Sequence, residues 1–199
     1  MLVRVRDLRA VTAVTALGAV TAVLGLPLGL LWSWLAPDVP VRVTSTGGAA
    51  FATTQPEQPA AADAWFALLG LGFGALVAVC AWRLAAGTRG PAGLLALVAG
   101  TAGAGLLAWW VGRQVGLAGY QAALESAPPG AVLDRPADLR IARTGWWPPV
   151  VTGVVLAPAL SAAVTYTLVA AWSRFPSLGV PPPGPSDRED DRAPTLDGC

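Results

Sequence analysis

The stretch WFALLGLGFGALVAVCAW, residues 65–82, encloses GLGFGA (Gly70–Ala75), which fits the G-x-G-x-x-G/A pattern that cradles a dinucleotide pyrophosphate. That fingerprint works when a strand precedes the glycines, a helix N-terminus receives the pyrophosphate and an acidic residue about 20 positions on holds the ribose. Here the glycines lie in the middle of 18 uncharged residues, no turn precedes them, and the segment that follows reads TRGPAG. As a helix, the run from Trp65 to Trp82 covers about 26 Å, close to the ~30 Å hydrocarbon core of a bilayer. The stretch reads as a membrane span, and the nucleotide reading fails. Gly70 and Gly74 then form a small-xxx-small pair that lets a neighbouring backbone approach where lipid supplies no hydrophobic drive between helices.

The rest of the chain repeats the pattern. Asp, Glu, Lys and Arg make up 13% of residues, against about 25% in an ordinary soluble chain. Four uncharged runs of at least 18 residues are each long enough to cross a bilayer. The expected fold is an all-α membrane protein, a four-transmembrane-helix bundle with spans at 10–35, 64–82, 92–111 and 148–172. A cytoplasmic N-terminus (1–9) and a cytoplasmic turn (83–91) face one side. Loops 36–63 and 112–147 face the other as a small extracytoplasmic cap, in which VRVTSTGGAAFATT suggests two short strands around Gly47-Gly48. GYQAALES reads as an amphipathic extension of the third span. The tail 173–199, with its PPPGP and DREDD clusters, lacks the apolar side chains to offset ordering entropy and is expected to be a disordered cytoplasmic segment. The first run is too long for a signal h-region and carries Trp34 where a cleavage site would want a small residue, so it reads as an uncleaved helix. Pro27 and Pro158 each predict a kink.

The nine tryptophans fall at proposed span ends, as expected for amphipathic rings at headgroup level. Trp34, Trp65, Trp82, Trp109, Trp147 and Trp172 are the candidate interface anchors. Arginines near the spans favour the N-terminal side by a narrow margin (Arg4, Arg6, Arg9, Arg83, Arg89 and Arg174 against Arg42, Arg113, Arg135, Arg140 and Arg143), which predicts a multi-pass cell-membrane protein with both termini cytoplasmic. In the third span no side chain from Ala99 to Gly105 exceeds threonine, and Ala96, Gly100, Ala104 and Ala108 recur every four residues. This predicts a central helix, contacted on several faces and entering the bilayer as a hairpin with span two, with Gly100, Gly103 and Ala104 at its packing seams.

Chemistry is scarce. There is no Lys, His or Asn, no ionisable group lies at a span centre, and the net charge of +1 comes without a basic stripe that could follow phosphates. These features argue against a proton-coupled transporter, an intramembrane protease and a nucleic-acid binder, and they point to no catalytic residue, metal site, nucleotide or cofactor. Cys80 and Cys199 are not expected to pair. Ser161 and Thr165, four apart beside Pro158, could line a small cavity; hydroxyls bonded to backbone carbonyls are the plainer account. Arg135, Arg140 and Arg143 could meet an anionic headgroup or a partner, against the default of a solvated loop with mutual ion pairs.

LWSWLAP (31–37), VRVTSTGG (41–48), DAWFALLGLGFG (63–74), TRGP (88–91) and AAVTYTLVAAWS (162–173) together resemble an actinobacterial family of small polytopic membrane proteins catalogued as a domain of unknown function. The resemblance covers about residues 10–175. It implies the fold and the membrane location and brings no catalytic or binding residues. Two functions stay open. One is a non-enzymatic scaffold or accessory subunit of a cell-envelope complex, in contact with the lipid bilayer and with an envelope partner or further copies of itself. The other is a permease-like transport component in which kinked spans one and four open a path.

Overall fold

Apolar residues that cannot be hydrated within lipid leave the backbone one way to satisfy itself locally, the α-helix. The computed structural model describes residues 2–45, 48–51, 57–139 and 153–173. They form α1 (Leu2–Val23), α2 (Gly25–Leu35), β1 (Val39–Val43), β2 (Ala49–Phe51), α3 (Gln58–Leu84), α4 (Pro91–Gln114), α5 (Leu117–Ser126), β3 (Val132–Arg135) and α6 (Ala157–Ala171). Four helical segments are long and apolar enough to cross a membrane: Leu8–Leu35, Ala60–Leu84, Pro91–Ser126 and Gly153–Ala171. GLGFGA lies in the interior of α3, with helix on both sides of it and not at a strand-to-helix turn. The tail from Arg174 onward lies outside the described residues.

The prolines act in two ways. Pro27 lacks an N–H, and its ring would clash with the carbonyl four residues back; α1 accordingly ends at Val23 and the chain resumes as α2 after a break at Leu24. Pro158 departs from the expected kink. It occupies the first turn of α6, preceded by a 3₁₀ segment Gly153–Leu156. At that position the missing N–H would have had no intrahelical partner anyway. Pro59 and Pro91 open α3 and α4 in the same way.

The helices pack mainly as two parallel pairs. On one side α1 and α2 run alongside α4; on the other α3 runs alongside α6, and α4 and α6 join the pairs. α4 is central, as its small residues require. It packs little against α3, despite the short 3₁₀ turn (Ala86–Thr88) that connects them, so the expected hairpin of spans two and three is one of sequence rather than of packing. A Cβ on Gly25 or Gly29 would overlap the backbone of Ala104 or Ala108, and one on Gly74 would overlap the carbonyl of Pro158. These are backbone-on-backbone seams.

The cap is one sheet made from both loops. β1 lies between β2 and β3, antiparallel to each, with Val41 opposite Phe51 on one side and Leu133 on the other. The β1–β2 pair meets the expectation of strands around Gly47-Gly48; β3 carries no alternation that would announce it. Val39, Val41 and Val43 alternate inward and are buried. Trp32, Ala36, Ala62, Phe66 and Val155 form a cluster with Ala137 and Leu139, which fastens the segment after β3 to the helix ends.

Candidate functional site

Three places gather the functional side chains. The first is the clamp at the α3–α4 turn. The Arg89 guanidinium donates from Nε and Nη2 to the Trp82 carbonyl at 3.2 and 2.9 Å, satisfying an orphan acceptor at the end of α3. It also lies 5.0 Å from the centroid of the Trp82 ring, within cation–π reach. The Gly90 N–H donates to the Tyr166 hydroxyl at 3.0 Å, and that hydroxyl donates to the Gly90 carbonyl at 3.4 Å. Gly90 has φ 137°, a conformation L side chains rarely adopt. The ring of Tyr166 meets Trp82 edge-on at 5.2 Å.

The second is a pocket of about 310 Å³ under the cap, lined by Ser33, Asp38, Tyr120, Asp134 and the backbone around Gly116 and Gly119. Loss of hydration raises the Asp38 carboxyl above its ordinary range, and the negative charge of Asp134 raises it further. Both effects favour the protonated, neutral form of Asp38. Among the described residues no group of three or more His, Cys, Asp or Glu is placed to hold a metal ion.

The third is an apolar groove of about 540 Å³ between α1–α2 and α3, lined by Val20, Leu24, Pro27, Leu31, Leu76 and Leu84 among others. It opens where the first span is broken: at the cap end α2 packs on α3, with the Trp32 indole donating to the Ala62 carbonyl at 3.0 Å and meeting Phe66 edge-on at 5.3 Å. Past Leu24 the pair separates.

The sequence candidates divide among these places. Gly70 approaches the Pro158 ring, where an added Cβ would sit 3.0 Å from Cδ, and Gly100 approaches Gly18, where it would sit 2.6 Å from the carbonyl oxygen. Ala104 is fully buried at the α2 seam. Gly103 is not pinched: a Cβ there would meet only the Ala22 methyl, at 3.4 Å. Sequence reading missed Gly18, Gly25, Gly29, Gly105 and Gly112, each of which a Cβ would press into a neighbour; the Gly25/Gly29 spacing around Pro27 was the available signal.

Trp34 and Trp172, 84% and 81% exposed at opposite ends of the bundle, suit the anchor role, and Trp65 is half-exposed. Trp82 does not suit it: only 8% of it is exposed, and its ring faces Tyr166 and Arg89. Trp109 donates to Asp138 Oδ1 at 3.3 Å. Asp138 Oδ2 lies 3.6 Å from both Arg113 and Arg135, so Arg135 takes part in an ion-pair cluster that ties the cap to α4. Arg140, Arg143 and Trp147 lie outside the described residues.

The hydroxyls follow the plainer account. Thr21 and Thr101, both buried, donate to Leu17 and Leu97 carbonyls at 2.7 and 2.8 Å within their own helices, and Ser161 donates across to the Leu71 carbonyl at 2.6 Å. No protein-family model matches this chain, and no curated protein or solved structure matches it either. The functional reading therefore rests on geometry.

Proposed function

We propose that this chain is a non-enzymatic scaffold or accessory subunit of a cell-envelope complex, seated in the cell membrane with both termini cytoplasmic and its cap outside. The observation that supports this reading best is how the bundle interior is filled. Gly25 and Gly29 against Ala104 and Ala108, Gly74 against Pro158 and Gly105 against Val155 bring backbones into contact. The buried threonines satisfy themselves within their own helices. Such seams suit a rigid support whose working surface is the cap, built from both loops and fastened through Trp32, Ala137 and Leu139. They do not suit a permease-like conduit, which needs a polar lining and room to open.

Two measurements test the reading. A photo-crosslinking residue in place of Arg42, exposed on central strand β1, should yield one discrete adduct with an envelope protein in native membranes. Vesicles containing the purified chain should release trapped ions and small solutes no faster than protein-free vesicles. Flux that depends on the chain, or stoichiometric recovery of an ATPase subunit, would overturn the scaffold reading in favour of transport.

A further inference from the structure

The groove between α1–α2 and α3 does not end in the apolar region. It continues into a second cavity of about 560 Å³, lined by Arg9, Ala13, Gly87 and Thr88; Leu17, Val20, Leu84 and Ala85 line both. The result is one trough with an apolar shaft and a basic mouth, with Arg83 on the last turn of α3 at the same end. No described lining residue at that mouth is acidic.

The length of the shaft limits what can occupy it. Along α3 the lining runs from Phe73 to Leu84, about 16 Å at 1.5 Å per residue, or one leaflet of the ~30 Å hydrocarbon core. A partner's spanning helix would need contact across both leaflets, yet on the cap side of Phe73 the space is closed by Trp32, Phe66 and Ala62 packed together. An amphiphile that enters from one leaflet fits length, polarity and charge together. We infer that the trough between α1–α2 and α3 is a binding site for an anionic phospholipid, with an acyl chain along Leu24, Leu76 and Leu84 and its phosphate at Arg9. This goes beyond the scaffold reading and stands or falls independently of it.

Arg9 supplies the charge attraction expected of a basic pocket at a membrane surface, and the Thr88 hydroxyl, now donating to the Ala85 carbonyl at 2.9 Å, lines the same mouth. Val20 and Leu76 are 62% and 63% exposed to the trough and the surrounding lipid, so a larger ring at either narrows the shaft without displacing packed neighbours.

The test is native mass spectrometry of the full chain released from vesicles of equal phosphatidylglycerol and phosphatidylcholine. One phosphatidylglycerol per chain should remain bound. Arg9→Gln should lower its retention about fivefold, the weight of one surface arginine. Leu76→Trp should lower it similarly, while Leu95→Trp, on the exposed side of α4, leaves it unchanged; all three should melt like the parent, so that a loss reports on the site rather than on folding. Equal retention of phosphatidylcholine, indifference to both Arg9→Gln and Leu76→Trp, or a second copy of the chain held in the groove would overturn the assignment.

Discussion

Gly25→Ala tests the principle that holds the bundle together. A Cβ at Gly25 would overlap the Ala104 carbonyl oxygen and lie 2.7 Å from the Ala104 Cα and 2.9 Å from its carbonyl carbon. These are backbone atoms of a central helix, so no side chain can swing aside. α2 and α4 must part by roughly 1 Å, a gap that forfeits a quarter to a half of the dispersion energy of the contacts it opens. Overpacking of this kind costs about 1–3 kcal/mol, or about 5- to 150-fold in the folded population. The helix propensity of alanine does not offset the loss, because separated helices keep their backbone bonds in lipid and the gain is common to both states. The internal controls are Gly72→Ala, where a Cβ meets nothing within 4 Å, and Gly103→Ala, where it meets the Ala22 methyl at ordinary contact; both should stay within about 0.5 kcal/mol of the parent. The assay is the unfolding midpoint of the three variants in mild detergent titrated with SDS. If Gly25→Ala unfolds together with Gly72→Ala, backbone contact does not hold α2 against α4 and the reasoning is wrong.

Other perturbations separate the remaining contacts. Tyr166→Phe keeps the ring pair with Trp82 but leaves the buried Gly90 N–H without its acceptor, and should cost about 1–3 kcal/mol in the same assay; Thr167→Val, which loses only a bond to the Ala163 carbonyl in its own helix, should be near neutral. Trp32→Ala removes a fully buried ring and should cost about 3–5 kcal/mol, whereas Trp34→Ala, on the exposed side of the same helix, should leave the detergent melting curve almost unmoved. The raised Asp38 carboxyl gives a pH dependence of definite sign. The folded state holds that proton more tightly than the unfolded chain, so the stability contribution is complete below the ordinary value of 3.8 and is lost as pH rises through the folded value. Asp38→Asn should flatten the melting temperature across that window and raise it at neutral pH; a variant with the parent's pH profile would remove Asp38 from the account.

The span assignments and the site assignments were not equally legible. Apolar length located all four spans, because the hydrocarbon core imposes a one-dimensional requirement that a sequence displays directly. The Gly70/Gly74 and Gly100 seams were readable for a similar reason: a missing side chain stays visible wherever the helix happens to face. The indoles were only half readable. Sequence position puts Trp32, Trp34 and Trp82 at span ends, but which ring meets lipid and which fills the bundle depends on helix rotation, and rotation is set by neighbours. Trp32 and Trp82 are therefore core residues, while Trp34 lies exposed.

The sequence alone determined the solvent of this protein, the number of its crossings and the absence of a nucleotide loop at GLGFGA, since each depends on local composition and on the cost of an unpaired backbone group in lipid. Only the tertiary structure decided that span one pairs with span three and span two with span four, that β3 from the distant second loop completes the cap sheet, and that a trough with Arg9 at its mouth opens beside the break at Leu24. Those outcomes depend on which surfaces fit one another. Several partners of equal greasiness were available to every helix, and hydropathy does not distinguish among them; the shapes left by Gly25, Gly29 and Gly74 do.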